Sequence, residues 1–521
     1  MVVITDLGVW WYSEISWERS SNGPFAAEFQ SELPSNASYA VSSGLTANSP
    51  HSLLLRKWLR ACDESHFQCR QQPEKKNFWP KRVINVGDTN KLTLVEEKPQ
   101  GEHYLVLSHC WGPLTDQDKK RFCTTSENYG SRKLGFSYGE LPKTFRDAIQ
   151  ATRALQKQYL WIDALCIIQE GPDCDWEDEA KTMADIFAYA YCTIAASSAR
   201  GWGDGFLKPQ SDSPDTGVQG ILSTLTCACD FDKDVDKGPL MKRAWVLQER
   251  VLSRRIIHFS AAHTYCECGD GVLCEQLTKL KPPPGKQYFI LDPNFPRRVN
   301  LSGFKRTVDF IHFLFKEYSA SGLSYDTDRD VAIHSLVERV GKVLQTEVRH
   351  GIFRRFLGSL LLWRRTQENK SPPISYKVQT VPSWSWLAYS GGIDFISDAK
   401  WDLLIPHYED LGFADDGQAL NVKVRQFGGN FRMGKKGEEC AIVDGTKEVG
   451  FVWFDVTDQI QLKDCNCVVV SMLNDDKKDP QKTYHVLIIR KKARDGEYER
   501  VGVGKVEAQY VSTDGSTGTL W

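Results

Sequence analysis

Ser108, His109 and Cys110 follow the apolar run Tyr104-Leu105-Val106-Leu107 and precede Trp111 and Gly112. A hydroxyl, an imidazole and a thiol spilling off a buried strand onto a glycine turn is how α/β proteins build sites at strand carboxyl ends. The chemistry such a trio invites is attack by a thiolate beside a base. Adjacent residues on an extended strand point to opposite faces, so His109 and Cys110 do not form that pair directly. The other reading is a tight strand-to-loop corner packed by Trp111. Asp163 sits in a second apolar run, Tyr159 to Ile168. A carboxylate there must be paired, hydrogen-bonded or near a pocket. It is either a catalytic group or an acceptor of backbone N–H groups at the sheet edge.

Asp175-Trp176-Glu177-Asp178-Glu179 opens a helix. Carboxylates in a first turn complement the positive end of the helix dipole. Glu179, however, lies one turn before Met183 on the apolar stripe. An inward glutamate near the carboxyl ends of parallel strands is placed to stabilise an oxocarbenium-like centre. The catalytic candidates are therefore Glu179, Asp163 and His109. Ser108, Cys110, Trp111, Gly112 and Trp176 are substrate-binding candidates. A third block, Arg243-Ala244-Trp245-Val246-Leu247-Gln248-Glu249-Arg250, offers an ion-pair network or a substrate-anchoring Arg243 with Gln248 and Glu249.

Two further sets look like zinc ligands: Cys62-x3-His66-x2-Cys69, and His263-x2-Cys266-x-Cys268 followed by Cys274. Neither has the paired Cys-x-x-Cys spacing of structural zinc sites, so both read as packing thiols with no metal. There is no Gly-x-Gly-x-x-Gly turn after a strand, no Walker loop, no Gly-x-Ser-x-Gly elbow and no His-Glu-x-x-His. Dinucleotide-dependent oxidoreductase and P-loop kinase chemistry are disfavoured, and no cofactor is expected.

The elements that position these groups follow from hydrophobic periodicity. Pro142–Gln156 reads as a helix with Thr144 as cap, Tyr159–Ile168 as a buried strand, Asp175–Tyr191 as a helix and Thr193–Ala196 as a strand. Together with 104–108 this is β-α-β-α-β, which implies a parallel α/β sheet. Upstream, Leu54, Leu55, Trp58, Leu59 and Cys62 keep helical spacing, and short strands follow at 82–86 and 92–95. Residues 300 to 365 look helical, Pro382–Phe395 is a Trp-rich turn segment, and antiparallel strands dominate from about 417. The expected organisation is an N-terminal segment 1–50 with a linker at 35–50, an α/β domain 51–260, a helical region 261–400 and a β-rich region 401–521.

The chain has 521 residues, 41% hydrophobic and 25% charged, as expected of a globular protein with a large core. A net charge of -2 argues against general nucleic-acid binding and against a polybasic membrane protein. No apolar run reaches a membrane-spanning length, and no signal peptide is visible. The 15 cysteines are odd in number and scattered, which reads as reduced cytoplasmic thiols.

The three dense blocks resemble the fungal heterokaryon incompatibility (HET) domain family. That family's strand ending in Leu-Ser-Tyr-Cys-Trp-Gly is similar to Leu107–Gly112, with His109 in place of the usual Tyr. Its Tyr-Leu-Trp-Ile-Asp-x-Leu-Cys-Ile-x-Gln is similar to Tyr159–Gln169, followed by Asp175, Trp176, Glu179 and Met183. Its Arg-x-Trp-x-Leu-Gln-Glu-Arg is similar to Arg243–Arg250. Trp58, Cys62, His66 and Cys69 upstream, and Pro382–Trp386 and Tyr498–Val503 downstream, also fit long members of the family. The HET domain is in turn similar to Toll/interleukin-1-receptor (TIR) domains, which are flavodoxin-like. Some TIR domains cleave NAD with a helix glutamate that follows a Trp. The resemblance implies allorecognition and programmed cell death, with NAD as substrate and Glu179 as the key carboxylate. Its spacing from Trp176 is one residue shorter than in TIR domains. Two alternatives carry different expectations. One is a non-catalytic assembly module that self-associates or captures an incompatibility partner. The other is a HET-like fold recruited for small-molecule metabolism, motivated by His109.

Overall fold

In the computed structural model the chain folds as two compact units. One comprises 1–179, 185–241 and 250–294; the other comprises 180–184, 242–249 and 295–521. The structure describes residues 18–20, 45–70, 78–87, 90–207, 229–276, 278–281, 286–366, 371–376, 380–396, 404–406, 411–429, 431–436, 439–455, 460–473 and 482–521. Residues 35–44 of the linker expected at 35–50, and most of the N-terminal segment, lie outside them.

The strands of the first unit are β1 (Glu18–Ser20), β2 (Val83–Asn85), β3 (Lys91–Val95), β4 (Tyr104–Ser108), β5 (Thr124–Thr125), β6 (Phe136–Ser137), β7 (Tyr159–Trp161), β8 (Ile168–Glu170), β9 (Cys192–Ala195), β10 (Arg255–Phe259), β11 (Thr264–Cys268), β12 (Gly271–Cys274) and β13 (Lys279–Lys281). All but β5 and β8 form one eleven-stranded sheet, ordered β1-β13-β12-β11-β10-β9-β4-β7-β2-β3-β6. β7, β4, β9 and β10 run parallel to one another. The strands on both flanks are antiparallel. The fold is thus mixed α/β, with a parallel centre inside a larger mixed sheet. Every residue of β4 is buried, as a strand covered on both faces requires.

Two differences from the expected elements bear on the site. The apolar run 159–168 is not one strand. β7 ends at Trp161, and Asp163–Cys166 forms a single helical turn before β8. Periodicity cannot separate a buried strand from a buried helical turn in so short a run. The helix Lys143–Ala154 has Pro142, not Thr144, at its N-cap position. The Thr144 hydroxyl instead donates to the Gly201 carbonyl at 2.9 Å.

The thiols are also not all free. Cys229 and Cys274, 45 residues apart, form a disulfide among Phe231, Val235, Tyr265 and Val272. This corrects the expectation of an entirely reduced set. No helix among the described residues is long and apolar enough to cross a membrane.

The second unit contains the helices Phe304–Ala320 and Val331–Val343 and a ten-stranded C-terminal sheet. That sheet is antiparallel except where Glu497–Glu507 meets Ser516–Leu520. Its anchor is Arg500, wholly buried, whose Nε donates to Asp455 Oδ2 at 2.9 Å and Nη1 to the Leu361 carbonyl at 2.8 Å. The guanidinium lies 3.5 Å above the Trp363 ring. Trp363 Nε1 donates to the Trp384 carbonyl at 3.0 Å, which fixes the Trp-rich segment.

Candidate functional site

The carboxyl end of β4 opens beside β9, where the order of the parallel strands reverses. Ligands of open α/β sheets bind at such reversal points. Ser108 is buried there, in register with Ala195, and its carbonyl accepts the Ala196 N–H at 2.9 Å. His109 and Cys110 are buried too, while Trp111 is half-buried. Gly112 has φ +73, and a Cβ there would lie 2.8 Å from Gly201 Cα. Only glycine allows the 200–205 loop to approach so closely.

That approach brings Trp202 onto His109. The Trp202 indole N–H donates to His109 Nε2 at 3.1 Å, so the ring proton sits on Nδ1. Thr144, Gly201 and Gly205 fasten the loop to the helix Lys143–Ala154, and Asp147 accepts the Phe206 and Leu207 N–H groups. Phe145 packs edge-on against His109, with ring centroids 5.3 Å apart.

Asp163 closes this corner. Trp111 Nε1 donates to its Oδ2 at 2.7 Å, and the Ala164 N–H donates to Oδ1 at 2.7 Å. Oδ1 lies 3.7 Å from His109 Nε2, near enough to feel charge but too long for a hydrogen bond. His109, Trp111, Asp163 and Trp202 therefore make one connected group. Two nearby thiols are held in the protonated form. Burial, then the Asp163 charge, pushes Cys123 up to about 12, and burial pushes Cys166 up to about 12.

Glu179 occupies a different setting. It is 6% exposed, in the first turn of the helix Trp176–Tyr189, and Trp176 is half-buried at the start of that helix. Burial raises its carboxyl above the usual range; the Arg82 charge opposes the shift and Asp175 adds to it. Arg82, itself buried, binds Asp175 Oδ2 at 2.6 Å and the Cys166 carbonyl at 2.6 Å. Lys81 reaches the same oxygen at 2.7 Å, and Asp175 Oδ1 accepts the Ile168 N–H at 2.9 Å. Burial would raise Asp175, but Lys81, Arg82 and the backbone N–H outweigh it and hold the carboxyl low.

Residues 104–249 match the family described as Heterokaryon incompatibility protein (HET). The chain carries a HET domain. Comparison with curated proteins and with solved structures found no match. The HET match begins at the first residue of β4 and ends within the helix Ala244–Leu252. The His109 group and Glu179 fall inside it, whereas Arg82 lies upstream.

The third HET block divides between the two units. Arg243, Gln248 and Glu249 belong to the second, where Arg243 bridges to Gly322 through the backbone. Gln248 and Glu249 are buried, and Gln248 Oε1 has no hydrogen-bond partner among the described residues. Arg250 belongs to the first unit. It binds Glu267 at 2.7 Å and Asp236 at 2.6 Å, and His258 Nε2 meets Glu267 at 2.7 Å. Arg250 is thus committed to a buried network.

Two HET-domain neighbours escaped the sequence reading. Trp202 was signalled only by its setting in Gly201-Trp202-Gly203-Asp204-Gly205, and Arg82 only as a charge heading a strand. The cysteine sets also regroup. Cys268 joins Cys62, His66 and Cys69, while His263 pairs with Asp234 and Cys274 takes the disulfide.

Proposed function

We propose that the chain is a HET-type effector of fungal self/non-self recognition and the cell death that follows, acting by cleaving the glycosidic bond of NAD or a related nucleotide. The observation that carries the chemical part is Glu179. It is a shielded carboxyl with its proton affinity raised, on the helix that follows two of the parallel strands. Perturbed carboxyls cluster at functional sites, which supports this reading. The β7-β4-β9-β10 order supports a flavodoxin-like, TIR-like reading of the core, with the antiparallel β11 departing from it in fifth place.

In this reading the ribose C1′–N bond breaks with both electrons leaving on nicotinamide. Positive charge then develops across C1′ and the ring oxygen. The Glu179 carboxylate stabilises that charge, and water adds at C1′ with loss of a proton to give the sugar product. His109 and Asp163, held by Trp202 and Trp111, stand at the strand reversal. Expression of the full chain is expected to deplete cellular NAD and arrest growth, and Glu179→Gln to abolish both. NAD loss that survives the substitution would remove Glu179 from the chemistry.

One observation favours the second reading, an assembly module without chemistry. Ser108, His109, Cys110 and Glu179 are all buried. Under that reading Glu179→Gln arrests growth as the parent does, with NAD untouched.

A further inference from the structure

The described residues hold a second chemical constellation, outside the HET match. The helix Pro50–Glu64 starts with Ser49 as cap and Pro50 in its first turn, and its buried stripe carries Leu54, Leu55, Trp58, Leu59 and finally Cys62. The chain turns at Ser65, presents His66, and enters the short helix Phe67–Arg70 with Cys69 buried. Cys268 arrives from the other side, as the last residue of β11 before the turn into β12. The three sulfurs and a ring nitrogen of His66 all lie within 4.8 Å of one another. His66 Nδ1 is 3.4 Å from Cys268 Sγ.

Three features distinguish this cluster from packed thiols. Its donor set, three sulfurs and an imidazole, is the Cys3His set of structural zinc sites. Its size suits the ion, since zinc–sulfur bonds of about 2.3 Å put tetrahedral sulfurs roughly 3.8 Å apart, a modest contraction of the observed shell. The outer ring nitrogen is also held: Nε2 faces Asp270 Oδ2 at 3.4 Å, and Asp270 binds Lys279 at 2.5 Å. A carboxylate behind a ligating histidine fixes its ring and tautomer. Among the described residues, Cys166, Cys192 and Cys266 belong to no such ligand group. Gly269 beside the site leaves room, because a Cβ there would stand 3.3 Å from Cys69 Sγ.

We propose that Cys62, His66, Cys69 and Cys268 bind one zinc ion, closed by four protein ligands and therefore structural. On binding, each thiol gives up its proton and the imidazole ligates as the neutral base. The ion ties the two N-terminal helices to the β11–β12 hairpin. The sequence hid the site because its fourth ligand lies 199 residues beyond the third, from Cys69 to Cys268.

The test is metal analysis of the purified full chain. One equivalent of zinc is expected, lost in Cys69→Ser and Cys268→Ser and retained in Cys174→Ser, whose thiol is exposed. If the ligand variants fail to fold, the wild-type chain decides. Stripped of metal and titrated with Co2+, it should develop thiolate-to-cobalt charge-transfer bands and the intense visible bands of a tetrahedral site, saturating at one equivalent. A folded wild-type chain without zinc and without that spectrum overturns the proposal. So does zinc retained by Cys69→Ser and Cys268→Ser, or a disulfide among Cys62, Cys69 and Cys268.

Discussion

His109 lies at the carboxyl end of β4 with its Nε2 lone pair taken by the Trp202 indole. That arrangement depends on Gly112. An alanine there takes a left-handed φ and drives a methyl against Gly201, so Gly112→Ala is expected to cost about 1–3 kcal/mol in urea unfolding. An unchanged midpoint would mean the 200–205 loop is not seated as described. Trp202→Phe removes the N–H and part of a ring packed on Trp111, Phe122 and Phe145, leaves a buried acceptor unmatched, and should cost about 1–3 kcal/mol in the same unfolding measurement. Glu179 predicts a change of opposite sign. Its folded pKa is raised, so the stability it contributes is complete below the unfolded value and is lost as pH rises through the folded one. Glu179→Gln, fixed neutral, avoids that loss and should be at least as stable as the parent at neutral pH by thermal unfolding. A large drop in Tm would show that the carboxylate is a structural anion instead.

At the scale of elements, the ordering network sits on β10 and β11. Burial alone would raise Glu267, but Arg250 and His258 outweigh it and hold the carboxyl at about 2. With a depressed folded pKa, its stabilisation is present above the unfolded value of about 4.3 and is lost as pH falls through about 2. Glu267→Gln leaves Arg250 with less counter-charge in a buried site. It should cost about 3–5 kcal/mol at pH 7 and flatten the acid limb of the stability profile. An unaltered acid limb would contradict the assigned partners.

Sequence made much of this legible. The parallel β4, β7 and β9 and the intervening helices lie where apolar periodicity predicts them, because buried strands and amphipathic helices leave strong local patterns. Asp163 was placed on a strand because so short an apolar run carries no period. Trp202 and Arg82 were missed, and Cys268 was grouped with His263 and Cys266, because each acts through a partner distant in sequence, and pairing across 84 or more residues leaves no local signature.

At the scale of the molecule, several elements of the second unit converge on the buried cation Arg500. Arg500 joins Asp455, 45 residues away in the chain, to Leu361 and the Trp363 ring, 139 and 137 residues away. Arg500→Ala should cost about 3–5 kcal/mol, seen as a lower Tm for that unit. The proposed chemistry belongs to the first unit. The most direct measurement is nicotinamide release from NAD by the purified full chain and by Glu179→Gln, followed from pH 4 to 8. The parent should release nicotinamide, with a rate that climbs as Glu179 ionises along a limb displaced above the ordinary glutamate range of about 4.3. The variant, equally folded, should release none at any pH. Equal release by parent and variant, or none by the parent, would contradict the account.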